Sequence, residues 1–248
     1  MVVGVLFLSC SLIRKRNRRS TEGRSGIGGH VVIFDCNGVL VDSEPIAARV
    51  AAEEFTRAGF AMTPEIVSRF FTGRRAVDMF AAVEAATRRK LPHNFSAVVA
   101  AATLRRFRSE LRAMPHVSYA LTWVRGPKCV ASSSTLDRIR VSLEATGLLR
   151  FFEPNLFSAN DVPRGKPAPD LLLHAAAKMR AAPKDCIVVE DSAVGIAAAT
   201  AAGMIPIGYV GGSHAGSQLP AQLTAAGARA VIADMRALKG TMVALRGW

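Results

Sequence analysis

Six short apolar runs rich in β-branched residues, separated by helical patterns, set the main limit on how this chain can fold. They are VVIF at 31–34, KCVAS at 128–132, LFSA at 156–159, CIVVE at 186–190, IPIGY at 205–209 and AVIA at 230–233. Most lack polar–apolar alternation, as strands covered on both faces of a parallel sheet do. The helices between them have legible ends. Thr135 can cap a helix that puts Leu136, Ile139 and Leu143 on one face, with Gly147 as its stop. Pro169 opens a second helix, and Ser192 to Ala202 forms a third, ended by Gly203. This rhythm predicts an α/β fold: a doubly wound parallel sheet, Rossmann-like in outline.

One stretch breaks the rhythm. Residues 45–114 read as helices only. The first runs from Pro45 to near Ala58, the second starts at Thr63-Pro64-Glu65, and the third carries Val77, Phe80 and Val83. A fourth begins near Asn94 and sets Leu104, Phe107 and Leu111 on one stripe. The expected organisation is therefore a core formed by residues 30–44 and 115–248, an inserted helical cap over 45–114, and a tail, 1–29, outside the fold.

Composition narrows the function classes. Half of the 248 residues are apolar, enough for a sizeable core. The formal charge is +13; residues 1–30 carry six basic side chains and one acid, which leaves 13 − 5 = +8 elsewhere. Those remaining basic residues are scattered, with no aromatic-rich basic strand and no helix-turn-helix pattern, so no nucleic-acid partner is expected. A positive surface does suit anionic substrates such as phosphate esters. The run Val2 to Ile13 precedes its basic cluster rather than following it, and its 12 residues fall short of a span. The expectation is no stable membrane insertion. Cys10, Cys36, Cys129 and Cys186 form no CxxC pair, which fits free thiols in a reducing cytoplasm.

Four places carry chemistry. Asp35 follows the first run at the point where open α/β sheets bind ligands. Ser132 ends the second run, and Ser133, Ser134 and Thr135 lead into a helix N-terminus, where hydroxyls and N–H groups can hold a phosphate oxygen. Lys166 sits between Gly165 and Pro167 in RGKPAPD, a fixed ammonium able to pair with a carboxylate and a phosphoryl group. Glu190 and Asp191 close the fourth run; adjacent carboxylates repel unless a cation or donor shares them, and hard oxygen ligands on a rigid sheet suit Mg²⁺.

In order and placement this set resembles the haloacid dehalogenase superfamily. DCNGVLVDSEP followed by a helical insert looks like the subgroup of phosphoglycolate-type phosphatases, β-phosphoglucomutase and 6-phosphogluconate phosphatase. The resemblance implies that Asp35 attacks phosphorus and forms an aspartyl-phosphate. It implies that Asp35, the main-chain carbonyl of Asn37 and Asp191 hold Mg²⁺, with Glu190 acting through water. Ser132, with Ser133 beside it, would bind phosphoryl oxygens, and Lys166 would balance charge. Specificity in this subgroup resides in the cap, where Thr72, Gly73, Arg74 and Arg75 are the candidate substrate-binding loop. The implied partner is a small phosphorylated metabolite, of the sugar-phosphate kind, acted on by a monomer or weak dimer.

One position departs from the pattern. The family's phosphatases have an Asp two residues after the nucleophile, as general acid and then base; this chain has Asn37. An amide cannot donate and recover a proton near neutral pH, so the chain is expected to be a trapping variant of an active enzyme, a slow natural enzyme, or a phosphate and metal binder without turnover. Asn37-Gly38 is also a sequence prone to deamidation, which would restore an Asp. A phosphomutase is the other enzymatic alternative, disfavoured because Pro45-Ile46-Ala47-Ala48 lacks the histidine that β-phosphoglucomutase has in its first cap helix.

Overall fold

The computed structural model describes residues 30–71 and 76–246. A six-stranded parallel sheet forms its centre: β1 (Val31–Phe34), β2 (Lys128–Ser132), β3 (Leu156–Ser158), β4 (Cys186–Glu190), β5 (Ile205–Tyr209) and β6 (Ala230–Ile232), in the order β3-β2-β1-β4-β5-β6. The chain moves outward from β1 through β2 to β3, then returns to the other side of β1 with β4. The carboxyl ends of β1 and β4 therefore flank the topological switch point, the crevice where such sheets bind ligands.

The apolar runs bury both faces, as their unbroken hydrophobicity requires. Val32 and Phe34 of β1 join Val130, Ile187, Val189 and Ile207 in one core layer. Val31 and Ile33 join Cys129, Ala131 and Val188 in the other. Cys36, Cys129 and Cys186 are buried in these two layers.

Four helices leave the sheet after β1: α1 (Glu44–Arg57), α2 (Pro64–Phe71), α3 (Ala76–Thr87) and α4 (Phe95–Glu110). They have a core of their own, in which Phe55, Phe60, Phe80 and Phe95 pack at ring separations of 4.8–6.3 Å with Val67, Met79 and Val83 around them. This helical insert is the cap on the α/β core. The chain then returns through α5 (Val117–Trp123) to β2. Helices α6 (Leu136–Ala145), α7 (Asp170–Lys178), α8 (Ala193–Ala201), α9 (Leu219–Ala225) and α10 (Leu238–Arg246) complete the fold.

The caps follow the expected chemistry. Thr135 Oγ1 accepts from Arg138 N–H at the start of α6, and Ser192 Oγ accepts from Gly195 N–H at the start of α8. Two expected apolar faces need correction. Ile139 and Leu143 are buried but Leu136 is exposed, and Phe80 and Val83 are buried but Val77 is exposed. Each exposed residue lies in the first turn of its helix, at the edge of the buried stripe. No helix among the described residues is long and apolar enough to cross a membrane; the tail 1–29, with its Val2 to Ile13 run, lies outside the described residues.

Candidate active site

The sheet delivers four of the singled-out side chains to one crevice. Asp35 leaves β1 with its N–H still bonded to Val189 O of β4 (3.0 Å), so its carboxyl is fixed between the two strands. The turn that follows is held by Gly38 N–H to Val41 O (2.8 Å) and by Leu40 and Val41 N–H to Cys36 O. Lys166 arrives from the segment before α7. Its Nζ donates to Asp35 Oδ1 at 2.6 Å, to Glu190 Oε2 at 2.6 Å and to Ala131 O at 3.3 Å. All three charged side chains are almost wholly buried.

Glu190 is pinned at both oxygens. Oε2 takes Lys166, and Oε1 accepts from the Ser192 N–H (3.2 Å) and Oγ–H (2.8 Å). Its carboxyl lies against Gly195 in the first turn of α8, where an added Cβ would stand 2.0 Å from Glu190 Cδ. Only glycine lets the helix come this close. Asp191, next along the chain, is equally buried, and its Oδ2 makes no hydrogen bond.

Burial dominates the electrostatics. It pushes the Asp35 carboxyl up to about 7, against the pull of Lys166, with Glu190 adding to the rise. Asp191 is likewise driven well above the ordinary carboxylate range by burial, opposed by His214. Burial alone would push the Lys166 ammonium down; Asp35 and Glu190 outweigh it and hold the ammonium up. Oxygen atoms of Asp35, Glu190 and Asp191 lie within 4.8 Å of one another. Three buried carboxylates this close together form a hard donor set that fits a divalent cation.

A cavity of about 90 Å³ opens between core and cap above these groups. Its core side includes Asp35, Asn37, Lys166, Glu190, Asp191, Ser133 and Ser134; its cap side includes Ala47, Ala48, Met79 and Thr103. Ser132 is fully buried and does not line the cavity. Its Oγ accepts from Ser134 N–H at 3.3 Å, which leaves its own proton without an acceptor among the described residues. The Asn37 side chain is held at both ends: Nδ2 donates to Ser134 Oγ (2.9 Å) and Oδ1 accepts from Ser43 Oγ (3.0 Å). Thr72, Gly73, Arg74 and Arg75 lie outside the described residues.

Two residues at the site carry no signal in the sequence reading. Arg138 lines the cavity from α6, its guanidinium 5.0 Å over the Phe107 ring and its buried Nε without a hydrogen-bond partner. His214, in the loop after β5, sets Nε2 2.9 Å from Asp191 Oδ2. A period or spacing rule finds neither, because an arginine on a helix and a histidine in a glycine-rich loop look like surface residues until the fold folds them inward.

Comparison with known proteins agrees with this geometry. A family profile described as haloacid dehalogenase-like hydrolase matches residues 30–203. The chain is 34% identical to 6-phosphogluconate phosphatase of Escherichia coli over 178 residues, 70% of this chain and 79% of that one. It is 30% identical to the phosphorylated carbohydrates phosphatase of Thermotoga maritima over 179 residues, 70% of this chain and 81% of the relative. Among solved structures, a haloacid dehalogenase-like protein of unknown function from Agrobacterium tumefaciens superposes with a TM-score of 0.76 at 36% identity, covering 88% of this chain and 99% of that one. With its switch-point carboxylates, bridging lysine and helical cap, the chain belongs to the haloacid dehalogenase-like hydrolases.

Proposed function

We propose that this protein is a Mg²⁺-dependent phosphomonoester hydrolase that acts on a small phosphorylated metabolite of the sugar-phosphate class through an aspartyl-phosphate on Asp35. The observation that carries the reading is the Lys166 ammonium bridging Asp35 and Glu190 beside Asp191, at the crevice between β1 and β4. In this arrangement Asp35 is the nucleophile. Lys166 offsets the repulsion between an anionic carboxylate and an anionic phosphate, and holds the attacking oxygen in place. Asp35, Asp191 and the Asn37 carbonyl would hold the cation, with Glu190 behind them because both of its oxygens are engaged by protein donors. A divalent cation bound there supplies positive charge against the phosphoryl oxygens. Ser132 Oγ–H has no acceptor among the described residues and can donate to a phosphoryl oxygen, and Ser133 lines the cavity next to it in the chain.

The sugar-phosphate class rests on the names of the E. coli and T. maritima relatives. A phosphomutase is disfavoured: Ala47 and Ala48 line the cavity from α1, and neither can move a proton. The loop Thr72-Gly73-Arg74-Arg75 is proposed to grip the non-reacting end of the substrate, and the cytoplasm as the place of action, with the protein as a monomer or weak dimer.

Asn37 limits the rate in this reading. It can neither protonate the leaving oxygen nor activate water, a loss that typically costs about 10²–10⁴ in rate. A second reading, a phosphate and metal binder without turnover, is favoured by one observation. The Asn37 amide, which cannot move a proton, is held in place by the hydroxyls of Ser134 and Ser43. Assaying the chain and Asn37→Asp against phosphate monoesters, with Mg²⁺ and with EDTA, separates the two. Hydrolysis uses Mg²⁺ and rises at least about a hundredfold in the Asp variant; two inert proteins across a broad panel leave the binder.

A further inference from the structure

The seat built for His214 has no part in the reading above. Its imidazole lies between the turn after Asp35 and the carboxylate of Asp191. An added Cβ on Gly38 would stand 2.8 Å from His214 Cε1 and 1.8 Å from Asp191 Oδ2, and one on Gly212 would stand 2.6 Å from His214 Cε1. Two glycines thus clear the space that the ring fills. The loop is tied down as well: Ser213 Oγ donates to Asp42 Oδ1 at 2.7 Å, joining the segment after β5 to the segment after β1.

The side chain is about nine-tenths buried, and Nε2 stands 2.9 Å from Asp191 Oδ2. Neither atom makes a hydrogen bond, because the contact is close but not aligned with the ring N–H. Buried polar groups left in this state are costly unless a further partner completes them. His214 itself is not in the set of oxygen ligands within 4.8 Å, which among the described residues comprises Asp35, Glu190 and Asp191. It reaches that set only through Asp191.

We infer that His214 is a positioning residue for the metal site: its ring, seated against Gly38 and Gly212, keeps Nε2 against Asp191 Oδ2, so that the other carboxylate oxygen is presented to the cation. The inference rests on the metal site proposed above. Groups that orient a ligating carboxylate or imidazole typically contribute 10- to 100-fold in metal affinity, about the size expected here.

Calorimetric titration of the full chain with MgCl₂ tests this, using the parent, His214→Ala and His214→Gln. The expected result is a Mg²⁺ dissociation constant raised at least about tenfold in the Ala variant. The Gln variant, whose amide N–H can still reach Asp191, falls between it and the parent, and thermal unfolding stays cooperative in all three. If the Ala variant binds Mg²⁺ as tightly as the parent, the inference is overturned with the metal site intact. Equal weakening in Ala and Gln with loss of cooperative unfolding overturns it too, leaving His214 as packing. If the parent itself takes up no Mg²⁺, the metal reading falls first.

Discussion

Lys166 Nζ lies 2.6 Å from Asp35 Oδ1, although 131 residues separate the two in the chain. The same ammonium serves Glu190, so one cation compensates two buried carboxylates. Replacing it with Met leaves both carboxylates facing each other in a water-poor crevice. Removing one partner of a buried ionic group typically costs about 3–5 kcal/mol, and Lys166→Met is expected to lose that much in EDTA. Urea unfolding measures it. A loss below about 1 kcal/mol, the scale of an exposed pair, would show that Lys166 is not the compensating charge.

Asp35 should also leave a mark on the pH dependence of the metal-free protein. Its folded value near 7 lies above the ordinary 3.8, because burial outweighs Lys166. The folded chain then binds this proton more tightly than the unfolded chain does. Its contribution to stability is complete below the unfolded value and is lost as pH rises through the folded one. In EDTA the melting temperature of the parent is expected to fall more than that of Asp35→Asn between about pH 5 and about pH 8. Equal slopes would remove Asp35 as the source.

Asn37-Gly38 reads as a deamidation site, but the fold argues against it. Succinimide formation needs the Gly38 nitrogen to attack Asn37 Cγ, and Gly38 N–H is bonded to Val41 O at 2.8 Å. The Asn37 amide is also clamped between Ser134 and Ser43. Peptide mass spectrometry after prolonged warm storage should find the native protein unchanged at Asn37 and a urea-unfolded control converted. Equal conversion in both would show that the turn opens freely.

Much of the core was legible because its signals are local. Unbroken β-branched runs ending in Asp35, Ser132 and Glu190 locate three strands and the groups at their carboxyl ends within a residue. The cap helices were legible from Pro and Asn starts and apolar stripes. What sequence could not give was which way a single side chain turns. Val77 and Leu136 fit the stripe on paper but face solvent, because which flank of a stripe meets the neighbouring layer depends on how the helix docks. The α5 helix and the inward turn of His214 depend on contacts with distant segments, Met235–Ala237 and Asp191, that no window contains. The Asn37 clamp is similar, as Ser134 lies 97 residues away.

Phosphoryl transfer to Asp35 is directly measurable because of Asn37. A residue that cannot activate water leaves an aspartyl-phosphate to accumulate, and acetyl phosphate needs no general acid to release acetate. After incubation with acetyl phosphate and Mg²⁺ and an acid quench, peptide mapping of the parent is expected to find phosphate on Asp35. Asp35→Asn should carry none there, and Asn37→Asp should carry less because it hydrolyses the intermediate. Phosphate absent from Asp35 while phosphate esters are still hydrolysed, or present to the same extent in the Asp35→Asn chain, would overturn Asp35 as the nucleophile.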